Sequence, residues 1–387
     1  MVIQIDGGSS TNKGAQLMMY AVLQEIQSKC PEARVYLNNE HSDLPALRDR
    51  FKGLDIRKRQ SNRWRTIVLK LKLGSIAYKI YKPLSWRFSL RVPYKGVDIL
   101  LNIGGFQFGD QWRHDANSNA SWKHYLSKMK EYGTKIVFLP QALGPFEKKG
   151  SKEIVRILDT YSDIIMARDQ VSYDYIAALH PSKANIVVFP DFTSAVAGIP
   201  SRQSELAKGK VCIIPNSKMI SQGVNTEDDF VNGIVCIIDH IQKMGKRVVL
   251  LNHEGPGDYR LCKIINEKLN NEVDILQSNN ALVTKGIIAA SYLTISSRFH
   301  GVANALSSGV PCLATSWSHK YKMLMKDYGI ADGLIDYSSE YETYKKVDYL
   351  INEANNDSVR CLLKSYLIRV VSENRKMWSI VWDTVES

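Results

Sequence analysis

Short apolar runs, each closed by glycine or polar residues, recur along the whole chain. Residues 2–6, 35–37, 97–103, 135–139, 163–167 and 186–189 read as strands, and a second series follows at 211–214, 246–251, 273–276, 292–295 and 310–315. These runs are continuously apolar rather than alternating, which predicts strands covered on both faces. Between them the apolar spacing turns helical: Met18, Ala21, Val22, Leu23 and Ile26 predict a helix over 15–28, and 228–243 reads as another. Strands alternating with helices predict an α/β protein built on doubly wound parallel sheets. The pattern pauses at 197–210, a polar stretch with Gly, Pro and Ser that reads as a linker. Two domains follow, 1–200 and 201–387, with the C-terminal helices up to Trp382 bracing them.

Candidate chemistry sits where the strands end, since open α/β sheets bind ligands beyond their carboxyl edges. The richest stretch is 292–326. It runs from a strand into Ser296-Ser297-Arg298-Phe299-His300-Gly301, a helix over about 301–308 with a serine N-cap and Gly309 as its stop, then a strand delivering Ser316, Ser318, His319 and Lys320. A helix N-terminus with Arg298, His300 and Lys320 beside it predicts an anion site containing a titratable histidine. The competing reading pairs Arg298 with a carboxylate and leaves His300 as a helix cap. Arg168 ends another strand and can fork onto a phosphate or carboxylate, or bridge to neighbouring Asp169. The turn Gly7-Gly8-Ser9-Ser10-Thr11-Asn12-Lys13-Gly14 is a second anion-friendly strand-to-helix junction, though neither a dinucleotide fingerprint nor a Walker loop. His253 beside Glu254 is either an acid/base pair or a structural histidine.

Composition narrows the class. A chain of 387 residues with 44% apolar and 23% charged residues is typical of a globular protein. Met1 runs straight into a strand and no apolar run reaches about 18 residues, so neither a signal peptide nor a spanning helix is expected. The six cysteines form no CxxC pair and read as buried free thiols of a cytoplasmic protein. The net charge of +12 comes from one place: residues 57–95 hold twelve Lys or Arg and no acid, and basic and acidic residues are equal in number elsewhere. Two apolar stripes there, with Arg65, Lys72 and Lys79 between them and Trp64, Tyr81 and Trp86 nearby, suit peripheral contact with an anionic membrane. A solvated helical pair covering the first sheet is the competing reading. Nucleic acid ranks lower, because no recognised motif accompanies the charge. The membrane reading predicts pelleting with anionic vesicles at low salt; binding undiminished after Arg65, Lys72 and Lys79 are replaced by glutamine refutes their part in it.

Several motifs, in order, resemble the polysaccharide pyruvyl transferase family. GGSSTNKGAQLMM resembles the family's strand–turn–helix opening, and GGFQFGD stands at its glycine-rich turn while departing from the commoner three-glycine form. LPQALGPF, ARDQVSYDYI and PDFTSAV follow, then RFHG with ALSSGVP and SHKYKML. The resemblance implies a GT-B-like architecture, two Rossmann-like doubly wound parallel-sheet domains facing across a cleft. It also implies transfer of the enolpyruvyl group of phosphoenolpyruvate onto two hydroxyls of a sugar, giving a cyclic pyruvate ketal and phosphate. By motif match Arg168, Ser297, Arg298, Phe299, His300, Gly301 and Lys320 would hold the donor, with His300 and Arg168 catalytic. Asn12, Lys13, Gly105, Asp110, Gln141 and His253 are assigned to the acceptor. No metal or cofactor is called for; the expected partners are phosphoenolpyruvate and a lipid-linked sugar, on the inner face of the plasma membrane. Alternatives are a GT-B glycosyltransferase using a nucleotide-sugar and a non-catalytic glycan-binding member.

Overall fold

The computed structural model describes residues 1–9, 12–37, 44–58, 95–179, 184–221, 223–315, 319–330, 332–336 and 339–386. The readings placed on 59–94, on Ser10, Thr11, Ser316 and Ser318, and on the His319 and Lys320 side chains lie outside what is described. The chain divides into two compact units: Met1–Thr11, Met18–Phe192 and Asn374–Ser387 form unit 1, while Asn12–Leu17 and Thr193–Glu373 form unit 2.

In chain order the first series is β1 (Val2–Asp6), α1 (Lys13–Lys29), β2 (Arg34–Leu37), α2 (Leu44–Arg50), β3 (Asp55–Lys58) and β4 (Ile99–Asn102). It continues with α3 (Ala116–Glu131), β5 (Lys135–Gln141), α4 (Lys149–Tyr161), β6 (Ile164–Ala167), α5 (Gln170–Ala177) and β7 (Asn185–Val188). The strands make one seven-stranded parallel sheet in the order β3-β2-β1-β4-β5-β6-β7. The order reverses direction between β1 and β4, the switch point of a Rossmann sheet. Backbone meets backbone there: Gly7 has φ +85° and abuts Gly104, leaving no space for a side chain.

The second series is α6 (Arg202–Ala207), β8 (Val211–Ile214), α7 (Lys218–Ser221), α8 (Glu227–Lys243), β9 (Val248–Asn252), α9 (Gly255–Lys268) and β10 (Asp274–Gln277). Then come α10 (Ala281–Ala289), β11 (Leu293–Ser296), α11 (Phe299–Ser307), β12 (Cys312–Thr315), α12 (His319–Asp327), β13 (Leu334–Ile335), α13 (Glu340–Ile351) and α14 (Glu353–Glu386). Its parallel sheet runs β10-β9-β8-β11-β12-β13, with the same reversal between β8 and β11. Alternate residues go to opposite cores: Cys212, Ile214, Val249 and Leu251 pack on one side, Val211, Ile213, Val248 and Leu250 on the other. That is why these strands read as unbroken apolar runs.

Three expectations change. The stretch 197–210 is no bare linker: it contains α6, whose N-cap Ser201 accepts the Ser204 N–H, and Ala207 is fully buried in the unit 2 core. The division by contacts falls at Phe192/Thr193. The last residues of α14 also belong to unit 1, where Trp378 packs edge-on against Phe192 and Trp382 donates to Glu25 at 2.9 Å. The cysteines are free, and Cys212, Cys262 and Cys312 are buried, but Cys361 is exposed on the outer face of α14. Burial pushes the Cys212 thiol up to about 12, so it is an inert packing group. Among the described residues no helix is long and apolar enough to cross a membrane.

Candidate active site

The chemistry gathers in unit 2 at the carboxyl ends of β8, β9 and β11, on the switch point of its sheet. After β11 the chain turns through Ser297, and α11 begins at Phe299, earlier than the serines suggest. Arg298 is the N-cap residue, with extended backbone, and its N–H donates to the Ser296 hydroxyl at 3.0 Å. The turn is fastened from three sides. The Asn216 amide and the Tyr321 hydroxyl each donate to the Ser297 carbonyl at 2.8 Å, and the Ser297 N–H donates to the Ile214 carbonyl at 3.0 Å.

Arg298 meets a carboxylate. Its Nε and Nη2 fork onto Asp258 on α9 at 2.8 and 2.5 Å, and Asp258 is fully buried. Asp258 also accepts the N–H and hydroxyl of Ser217, both at 3.0 Å, which places it beside the end of β8. The competing sequence reading of Arg298 is therefore correct as regards its partner. The arginine is held in place by this fork, with Nη1 turned toward Glu254 Oε2 at 3.9 Å.

The start of α1 joins the same cluster, consistent with the assignment of Asn12–Leu17 to unit 2. Asn12 caps the helix, accepting the Ala15 N–H at 2.9 Å, which occupies the oxygen that was assigned to the acceptor. Gln16 accepts the Ala281 N–H at 3.1 Å. Gly14 has a steric reason to be glycine: the His300 imidazole occupies the space a Cβ there would need. The Lys13 side chain is buried in the cluster, within electrostatic reach of the Glu254 and Asp258 carboxylates. Both anion receptors foreseen in the sequence, the arginine and the first turn of α1, thus face the protein's own acids.

These groups perturb one another. Burial lowers the Lys13 ammonium from its usual value and Arg298 adds to this, while Glu254 and Asp258 pull the other way. Burial raises the Glu254 carboxyl, assisted by Asp258 and opposed by Arg298 and Lys13. His253 is 1% exposed, and neither ring nitrogen has a hydrogen-bond partner among the described residues. Its Nδ1 lies 3.9 Å from Glu254, and burial, with Lys13, Arg298 and His300 acting in the same sense, holds it well below the ordinary histidine range. It is a neutral imidazole in a cationic neighbourhood.

Other residues assigned to the donor are committed to the fold. Phe299 packs edge-on against Tyr321 in the core, and Gly301 lies against the Ser296 hydroxyl with no room for a Cβ. Ser297 is buried and accepts the Thr315 hydroxyl at 2.7 Å. His300 is only half-buried and stands edge-on to the Phe299 ring at 5.3 Å. In unit 1, Arg168 faces Asp191 at 3.6 Å, with both side chains buried. Asp169 is the N-cap of α5, accepting the Ser172 N–H at 2.7 Å, so the alternative pairing of Arg168 falls to Asp191 rather than Asp169. Asp110 accepts the N–H groups of Glu147 and Lys148, at 2.7 and 3.1 Å, and ties down the start of α4. Gly105, at φ +55°, abuts Met18. Gln141 is fully buried at the end of β5, its amide without a partner among the described residues.

The family profile described as polysaccharide pyruvyl transferase matches residues 12–319, well over half the chain. The chain belongs to this family. The match begins at the Asn12 cap and ends just beyond β12, so it spans every residue of the unit 2 cluster. No curated protein matches the sequence of this polysaccharide pyruvyl transferase family member. Among solved structures it is similar to Anabaena Alr3699/HepE in complex with UDP, at 12% identity and TM-score 0.59 over 99% of each chain. It is also similar to UDP-GlcNAc 2-epimerase from Neisseria meningitidis bound to UDP-GlcNAc, at 12% identity and TM-score 0.59 over 97% of this chain and 100% of that one. Such likenesses establish the GT-B-like fold, two parallel-sheet α/β domains, for this pyruvyl transferase family member.

Asp258 and Gly14 are the residues that sequence reasoning left without a role, and Glu254 was paired there with His253 rather than with Arg298 and Lys13. A signal for the acids existed in His253-Glu254-Gly255-Pro256-Gly257-Asp258, where a proline opens a helix and two acids stand four residues apart.

Proposed function

We propose that the protein transfers pyruvate from phosphoenolpyruvate onto two hydroxyls of a sugar in a cell-surface polysaccharide precursor, forming a cyclic ketal and releasing phosphate. The observation that carries this reading is the half-buried His300 at the start of α11, beside Arg298 and the buried Lys13, in a chain of this family. A donor bearing about three negative charges around one carbon calls for a cationic cluster at a helix start. His300 protonates the methylene carbon, Arg298 and Lys13 stabilise the charge gathering on the phosphate, and a sugar hydroxyl attacks the resulting cationic centre. Lys320 is carried over as a donor ligand on the strength of the motif match alone.

The test is phosphate release from phosphoenolpyruvate that depends on an acceptor glycan, with mass spectrometry showing one ketal per modified repeat. His300→Ala is expected to lower turnover by about 10²–10⁴-fold, and undiminished turnover refutes the assignment of the acid. The second reading, a nucleotide-sugar donor, has in its favour the UDP and UDP-GlcNAc held by the two structural neighbours. A thermal shift with UDP-sugars and none with phosphoenolpyruvate decides for it.

A further inference from the structure

Ketal formation moves more protons than one histidine handles in a single step. Phosphoenolpyruvate and two hydroxyls become a ketal carrying a methyl group, plus hydrogen phosphate. Two O–H bonds, the C2–C3 π bond and the C2–O bond to phosphate break, while one C–H bond, two C–O bonds and one phosphate O–H bond form. Of the two hydroxyl protons, one ends on C3 and the other on the phosphate. A site with His300 as acid therefore needs a second group to take a hydroxyl proton as that oxygen bonds to C2.

We infer that Glu254 is this second proton-transfer residue. The inference rests on the pyruvyl-transfer reading. Glu254 follows β9 directly and occupies the N-cap position of α9, yet its side chain makes no cap hydrogen bond. It turns instead into the cluster, lying 3.9 Å from both Arg298 Nη1 and His253 Nδ1. Unlike Asp258, which is fully buried and saturated by Arg298 and Ser217, Glu254 keeps 21% of its side chain exposed. It is the acid of this pair that a substrate can reach.

The charged groups acting on it are Lys13 from α1, Arg298 at the N-cap of α11 and Asp258 on α9, with His253 beside it; His300, on the first turn of α11, acts in turn on His253. With burial the dominant cause, its carboxyl is raised, which makes it a stronger base than an ordinary carboxylate. The steps balance as follows. His300 as imidazolium protonates C3 and the first hydroxyl adds to C2, losing its proton to the Glu254 carboxylate. Glu254 hands that proton to the departing phosphate oxygen, and the second hydroxyl closes the ring, returning its proton to His300.

Glu254→Gln separates this role from a structural one. The expected result is a 10²–10⁴-fold fall in kcat with an unchanged or lower KM for phosphoenolpyruvate, because a negative charge beside the donor is gone. Glu254→Asp is expected to recover part of the turnover. Wild-type kcat/KM falls on the acid side as the carboxylate protonates, at a pH above the ordinary carboxylate range, and the Gln variant lacks that limb. Folding is checked by Tm. The raised folded-state value means the folded chain holds the extra proton between the unfolded and folded pKa, and stability falls as pH rises through that window. At pH 7 the Gln variant should therefore match or exceed the wild-type Tm. A retained kcat with a raised KM, an unchanged acid limb, or a lowered Tm overturns the inference and leaves pyruvyl transfer standing. A wild-type enzyme inert toward phosphoenolpyruvate with every acceptor overturns pyruvyl transfer itself.

Discussion

Asp258→Asn is expected to destabilise unit 2 by about 3–5 kcal/mol, a fall in its unfolding midpoint of roughly 10 °C. Asp258 is fully buried and Arg298 nearly so, with side-chain exposures of 0% and 14%. Removing the carboxylate charge leaves a guanidinium with little water to take its place. Arg298→Met leaves the opposite orphan and should cost a similar amount. The double variant, with neither charge, should be more stable than the sum of the two losses predicts, because an apolar replacement spares the desolvation of both ions. Thermal unfolding of the four proteins checks this, and additive losses would show that the fork contributes nothing beyond its separate ends. Ser217 adds a second effect: Asp258 holds its N–H and hydroxyl, so the end of β8 should loosen as well.

Gly14→Ala is expected to abolish most activity, by about 10²-fold or more, through a contact that involves no ligand. At an ordinary helical position alanine is better than glycine by about 1 kcal/mol. Here the new methyl would overlap the His300 ring, which sits where the Cβ must go. Either the imidazole swings away or the first turn of α1 shifts, and overpacking of this kind costs about 1–3 kcal/mol. His300→Ala supplies the control. In that background Gly14→Ala should become neutral or stabilising, and a loss of Tm that persists there would place the strain somewhere other than the ring.

Much of the fold was legible because its physics is local. Parallel strands buried on both faces leave continuous apolar runs: Val211–Ile214 is read to the residue, and Val248–Asn252 to within two residues of 246–251. Where boundaries moved, a side chain decided. Arg298 has extended backbone and its N–H is taken by Ser296, so α11 starts at Phe299 rather than Gly301. α6 escaped notice because six residues with a polar face carry too little periodicity, and what holds them is the burial of Ala207 and Ser204.

The site was legible as an address and misread as a charge balance. Arg298, His300 and Lys13 could be placed at strand ends and helix starts from the sequence, because those positions are local properties. Which acids face them is tertiary. Asp258 lies forty positions from Arg298 along the chain, and Glu254 acts on Lys13, at the start of α1, from 241 positions away. Adjacency suggested Asp169 as the alternative partner of Arg168, but a residue preceding a helix is better used as its cap, so Asp169 caps α5 and Asp191 faces the arginine.

The aromatic patch over Phe192 has a consequence for biosynthesis. Trp378 and Trp382 come from the final turns of α14, whereas the sheet they complete is laid down by the first half of the chain. On the ribosome the early strands can pair as they emerge, but Phe192 and Glu25 wait for the tryptophans of α14 to be made. A chain stopped before Trp378 would carry a complete second Rossmann sheet attached to a first one with an open seam.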